Sequence, residues 1–130
     1  MKAYREEVTH LEILDQEERA QDGVEIHELR ATVPGNLRWF RGHFDGNPVL
    51  PAVVQLQEAL LLVRQIWSDL GSLRRIQRAR FQRQILPADS LCLRLERVSG
   101  AGEANFFFLR GGEGCSSGTL IFEPPGDRSE

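Results

Sequence analysis

The chain has 130 residues, enough for one ordinary domain with a real core and short of the usual size for two. A hydrophobic fraction of 41% and a charged fraction of 27% are globular values and exclude a disordered, collagen-like or fibrous protein. A formal charge of −3 is too small to argue for nucleic acid as a partner, and the basic residues are arginines apart from Lys2. The start, Met1-Lys2-Ala3-Tyr4-Arg5-Glu6-Glu7, has no apolar stretch behind its basic residue and is not expected to be a secretion signal. The longest apolar run, Ala59 to Val63, falls far short of the ~18 residues of a membrane span, so a cytoplasmic protein is expected. Cys92 and Cys115 form no CxxC pair and have no histidine at metal-ligand spacing, and are expected to be free thiols.

In chain order, Val8 to Leu14 and Val24 to Val33 are β-leaning runs on either side of the polar stretch Asp15 to Gly23, which predicts a hairpin. The apolar positions of the second run change parity between Ile26 and Leu29, so a bulge is expected near His27 and Glu28. Pro34-Gly35-Asn36 ends that run as a turn. Between Leu37 and Leu50, aromatic, Gly and Pro residues interrupt any regular period, which reads as an ordered loop. Pro51 suits the first turn of a helix because its missing N–H would have no helical acceptor there. The helix is expected from Pro51 to about Leu70, with Gly71 as its stop. Its apolar residues, Val53 through Leu70, cover most of the circumference, so it should be wrapped on several sides.

Four further strands are expected at about Leu73 to Ile85, Leu91 to Val98, Ala104 to Arg110 and Cys115 to Phe122. Leu91, Leu93 and Leu95 alternate with Cys92, Arg94 and Glu96, the pattern of a half-buried strand. Phe106-Phe107-Phe108-Leu109 does not alternate, which predicts a strand covered on both faces, by the helix and by a neighbouring subunit. Glu123 to Glu130 is a polar tail expected to fray. The elements add up to a single α+β domain over residues 1–130, a curved antiparallel sheet around one long helix.

The segment Phe40-Arg41-Gly42-His43-Phe44-Asp45-Gly46-Asn47-Pro48-Val49-Leu50-Pro51-Ala52-Val53 resembles the active-site loop of FabZ- and FabA-type β-hydroxyacyl thioester dehydratases, whose pattern is approximately GHFPGxPVxPGV. Downstream, Ala79-Arg80-Phe81-Gln82-Arg83-Gln84-Ile85-Leu86-Pro87-Ala88-Asp89 is similar to that family's ARFxRPVxPGD segment. With the strand order, the likeness covers about residues 24–122. The Trp39-Phe40 lead-in, the Gln55-Leu56 pair and the Ser116-Ser117-Gly118 ending resemble most the dehydratase-like branch of aryl-polyene and related pathways.

This resemblance implies a hot-dog fold, a dimer with sites at the subunit interface, and an acyl thioester of acyl carrier protein as substrate. It implies His43 as the catalytic base. A neutral imidazole can remove the C2 proton while a protonated carboxyl assists departure of the C3 hydroxyl as water. It places the backbone N–H of Ala52 as a donor to the thioester oxygen, where the helix dipole favours it, and Phe44, Pro51 and Val53 around the substrate. The family's helix carboxylate lies fourteen positions after the loop histidine, and here that position is Gln57. An amide can hold a hydroxyl or water but cannot act as a general acid. Glu58 follows it, turned by about 100°, and is expected as a charge at the helix rim or in a salt bridge, with the role of the acid as its alternative should the helix register differ. His10 and His27 lack any comparable setting and read as strand residues. Trp39 and Trp67 read as core or interface aromatics.

Arg74, Arg75, Arg78, Arg80 and Arg83 form a basic cluster that suits either docking of an acidic carrier protein or a solvated strand face. No motif indicates a metal or organic cofactor. Three activities remain open on the sequence: dehydration of 3-hydroxyacyl carrier-protein thioesters, a catalytically impaired acyl-binding subunit of a hot-dog heterodimer, and thioester hydrolysis.

Overall fold

An Asp-Gly turn nucleates the first hairpin. Asp22 and Gly23 both have positive φ, 55° and 80°, the backbone that a two-residue hairpin loop demands. They join β1 (Glu12–Gln21) to β2 (Val24–Thr32). The computed structural model of the chain describes residues 11–35 and 49–124. After the hairpin come helix α1 (Ala52–Ile66) and strands β3 (Leu73–Phe81), β4 (Ser90–Val98), β5 (Glu103–Arg110) and β6 (Glu113–Phe122). The strands form one antiparallel sheet in the order β1-β2-β4-β5-β6-β3. One helix against a six-stranded antiparallel sheet is the arrangement expected of a hot-dog domain.

The core lies between α1 and one face of the sheet. Val54, Ala59, Leu62 and Val63 of the helix join Leu29, Leu93, Leu95, Phe106, Phe108 and Leu120 of the strands in one cluster. Full burial of each large side chain contributes about 1.5–3 kcal/mol. Gly118 is required by this packing: a Cβ there would lie 2.8 Å from Cε2 of Phe106. Gly71 is required for another reason, because a Cβ would meet the Glu123 carbonyl oxygen at 2.6 Å.

Several boundaries differ from expectation. The polar stretch from Asp15 to Gln21 is strand rather than connection. β1 is an edge strand exposed on most of its length, so no hydrophobic period marks it. The bulge sits in β1 between Ile13 and Asp15, whereas β2 pairs with β4 without interruption. The parity change in β2 arises because His27 takes the inward place, edge-on to Trp67 at 5.1 Å between ring centroids. Pro51 is the N-cap, with φ −63° and ψ 150°, and the helix ends at Ile66 rather than Leu70. Trp67 leaves helical geometry there and donates its indole N–H to Oε1 of Glu25 at 2.6 Å, while the Ser99 hydroxyl donates to the other oxygen at 2.9 Å. Arg97, buried beside it, donates from both terminal nitrogens to Asp69 at 2.8 Å and from Nε to the Ala101 carbonyl.

β3 stops at Phe81, four residues before the expected end, and Gln82 and Arg83 both donate their N–H to the Cys115 carbonyl. Within β5, Phe106 and Phe108 are fully buried while Phe107 and Leu109 are only half-buried, so this chain covers one face of the strand and leaves the other partly open. The tail is tied at its first residue, where Glu123 donates to the Ser72 carbonyl; residues 125–130 lie outside the described part. Cys115 is buried, Cys92 is half-buried, and both thiols are free. Among the described residues no helix is long and apolar enough to cross a membrane.

Candidate functional site

The second motif proves to be a brace. Asp89 caps its own turn by accepting the Leu86 N–H at 2.7 Å and accepts the Arg110 guanidinium at 2.7 Å, while Ala88 donates to the Val33 carbonyl. Ala88 takes positive φ, 71°, to make that turn. The brace holds Ile85, whose carbonyl accepts the N–H of Leu50 at 2.8 Å. The chain entering α1 is thereby fixed against the segment that follows β3.

From the other side Gln55 fixes the same junction. Its Nε2 donates to the Leu50 carbonyl at 2.9 Å. Pro51 then sets the helix start, its carbonyl accepting from both Val54 (3.0 Å) and Gln55 (3.1 Å). The N–H groups of Ala52 and Val53 are left without an intrahelical acceptor, and the positive end of the helix dipole adds to their donor strength. A cavity of about 200 Å³ opens beside this first turn. Val49, Pro51, Ala52 and Gln55 line one side and Phe81 to Gln84 the other. Apolar groups at Val49, Pro51, Ala52 and Phe81, polar side chains at Gln55 and from Gln82 to Gln84, and first-turn backbone donors suit a carbonyl oxygen that gathers negative charge.

Of the residues singled out in the sequence, Pro51 and Ala52 line this cavity. Val53 does not: it is 69% exposed on the opposite side of the helix start. Gln57 shares that exposed side, one turn further on. Glu58 corrects the expectation of a charge at the rim, because it is fully buried, and it is not without a partner there. One residue step rotates the side chain by about 100°, which here carries it from the surface into the core, and the rim position belongs to Gln57. His43 and Phe44 lie outside the described residues, as do His10 and Trp39. His27 is a buried strand residue whose pKa is lowered, chiefly by burial and against the opposing pull of Glu18 and Glu25. Trp67 is a core aromatic.

The sequence reading used Gln55 only as a mark of lineage and missed its place in the site. A signal existed: it is a polar residue between Val54 and Leu56, three positions after Ala52 and therefore on the same helix face. The five arginines are all exposed around edge strand β3. Arg83 pairs with Glu113 at 3.3 Å, and among the described residues the other four have no ion pair.

Comparison with known proteins bears on the family and the fold. The ApeI-like family, described as ApeI dehydratase, matches residues 16–119. The 3-hydroxyacyl-[acyl-carrier-protein] dehydratase FabZ of Alkaliphilus metalliredigens is 33% identical over 116 residues, 81% of this chain and 76% of that protein. FabZ of Moorella thermoacetica is 33% identical over 100 residues, 69% of this chain and 70% of its own length. A crystal structure of an uncharacterized protein from Erwinia carotovora subsp. atroseptica is similar with a TM-score of 0.77 at 29% identity, covering 88% of this chain and 96% of that one. The dehydratase heterocomplex ApeI:P from Xenorhabdus doucetiae has the same fold, with a TM-score of 0.73 at 23% identity over 85% of this chain and 95% of its counterpart.

Proposed function

The chain belongs to the ApeI-like dehydratase family, and from that footing we propose that it eliminates water from 3-hydroxyacyl thioesters of acyl carrier protein to give 2-enoyl thioesters, in fatty-acid or polyene-type biosynthesis. The observation that carries this reading is the first turn of α1. Its Ala52 N–H has no helical acceptor, and Ala52 lines a partly apolar cavity immediately after the histidine-bearing loop motif. His43 takes the C2 proton, and the Ala52 N–H holds the thioester oxygen as charge develops on it.

With Gln57 at the family's carboxylate position, the general acid is either the buried Glu58 one position on or a carboxyl brought by a partner subunit. Gln57 and Val53 lie on a side of the helix that this chain does not cover, and Ile76 and Phe81 of edge strand β3 are also exposed, at 37% and 41%. An exposed apolar surface of this kind favours a second hot-dog subunit, identical or not, seated on it. A structure of the same fold is described as the dehydratase heterocomplex ApeI:P, which supports a partner subunit. The exposed arginines at β3 suit an acidic carrier protein delivering the thioester.

Incubation with 3-hydroxyacyl carrier-protein thioesters, alone and with a second hot-dog protein from the same source, tests the reading. Enoyl product that disappears in His43→Ala is expected. Acyl binding without product under both conditions would replace it with a non-catalytic acyl-binding subunit.

A further inference from the structure

We infer that Gln55 recognises the C3 hydroxyl of the substrate, its Oε1 accepting the hydroxyl proton while the thioester carbonyl sits at the first-turn N–H groups of α1. The inference rests on the acyl-thioester reading of this cavity and extends it to Gln55, to which the resemblance gave no role.

Gln55 is 4% exposed, yet only half of its amide is used. Nε2 is committed to the Leu50 carbonyl at 2.9 Å, and because a carbonyl can only accept, that bond fixes which end of the amide is oxygen. Oε1 is closed to solvent and, among the described residues, has no hydrogen-bond partner, so a ligand hydroxyl reaches it with a small shift of the cavity wall. A buried acceptor without a donor is costly, and native proteins seldom keep one without a use. Helical side chains lean back toward the N-terminus, and the reach to Leu50, five residues earlier, confirms that this one does. The amide therefore lies at the level of the first turn, beside Ala52, and both residues line the same cavity.

The site thus offers backbone donors and one side-chain acceptor at close quarters. A ligand that satisfies both must carry an acceptor and a donor a few bonds apart. A 3-hydroxyacyl thioester does so, with its carbonyl at C1 and hydroxyl at C3. The saturated acyl thioester and the 2-enoyl product both lack the donor, so Gln55 favours substrate over product.

The test compares binding of a 3-hydroxyacyl-pantetheine thioester and the saturated thioester of equal length to the full chain, with its partner subunit where one is needed. Wild type should prefer the hydroxylated ligand by about tenfold. Gln55→Met, similar in volume but without the acceptor, should bring the ratio within about twofold; because it also removes the Nε2 bond to the Leu50 carbonyl, both affinities fall and the ratio alone is read. An unchanged ratio with both ligands bound overturns the inference and leaves the acyl-thioester reading standing. Binding of neither ligand to wild type overturns both. Should Gln55→Met fail to fold, the side-chain amide resonances of Gln55 in ¹⁵N-labelled wild type decide: a larger shift with the hydroxylated ligand is expected, and equal shifts with the two ligands overturn the inference.

Discussion

Replacing Ala52 with proline removes the one backbone N–H assigned to the thioester oxygen and changes little else. Ala52 is the first residue of α1, where proline is tolerated because the lost N–H has no helical acceptor. A following proline confines the preceding residue to extended backbone, and Pro51 already has φ −63° and ψ 150°. The Ala52 side chain is exposed, so the added ring atoms meet solvent. Stability should therefore stay within about 1 kcal/mol of wild type, a shift in Tm of about 4 °C for a domain of this size. Loss of one oxyanion donor costs about 10²- to 10³-fold in kcat, or about 2.7–4 kcal/mol. The assay is formation of enoyl thioester by the assembly that shows activity, run beside thermal melts, with Ala52→Gly as a control that keeps the N–H. If Ala52→Pro turns over within about threefold of wild type with an unchanged melt, the first turn of α1 does not hold the reacting oxygen.

Gln57→Asp leaves the fold intact, as exposed substitutions do, and should raise dehydration at least tenfold if a titratable acid is what the site lacks; a rate unchanged in every assembly rules that out. Glu58→Ala empties a fully buried position and should cost about 2 kcal/mol or more by thermal melt; an unchanged Tm would show that the helix register is not the one described. Gly118→Ala drives a methyl into the Phe106 ring and should destabilise by about 1–3 kcal/mol, read from denaturant midpoints. The Glu25 carboxyl is held below its ordinary value first by the Trp67 indole N–H and then by the Ser99 hydroxyl. Its stabilising effect is thus present above the ordinary carboxylate pKa and lost as pH falls through the lowered one. Trp67→Phe should flatten that acid limb of the stability profile, and an acid limb identical to wild type would sink the assignment.

Much of this protein was legible in one dimension because its elements are marked by local chemistry. β4, with Leu91, Leu93 and Leu95 turned inward, was readable within a residue of its ends, since alternation reports a strand with one wet face. α1 began where Pro51 said it would, within one residue. The loop motif ending at Val53 was enough to name the family and the chemistry to look for. Where packing or exposure overrides local pattern, the sequence was silent. β1 carries charges on both faces because it is an edge, so periodicity hid it and only its pairing with β2 reveals it. The end of α1 was decided by a contact across 42 residues, Trp67 to Glu25.

The candidate site divides the same way. Residue types and their order specify what a thioester site needs: a histidine, a helix N-terminus and an apolar surround. Which neighbours on one helix meet the ligand depends on rotations of 100° per residue relative to a sheet that the sequence does not place. That geometry alone put Glu58 in the core and Gln57 on the surface. It also brought Gln55 back over the first turn with one half of its amide tied to Leu50 and the other half unspent.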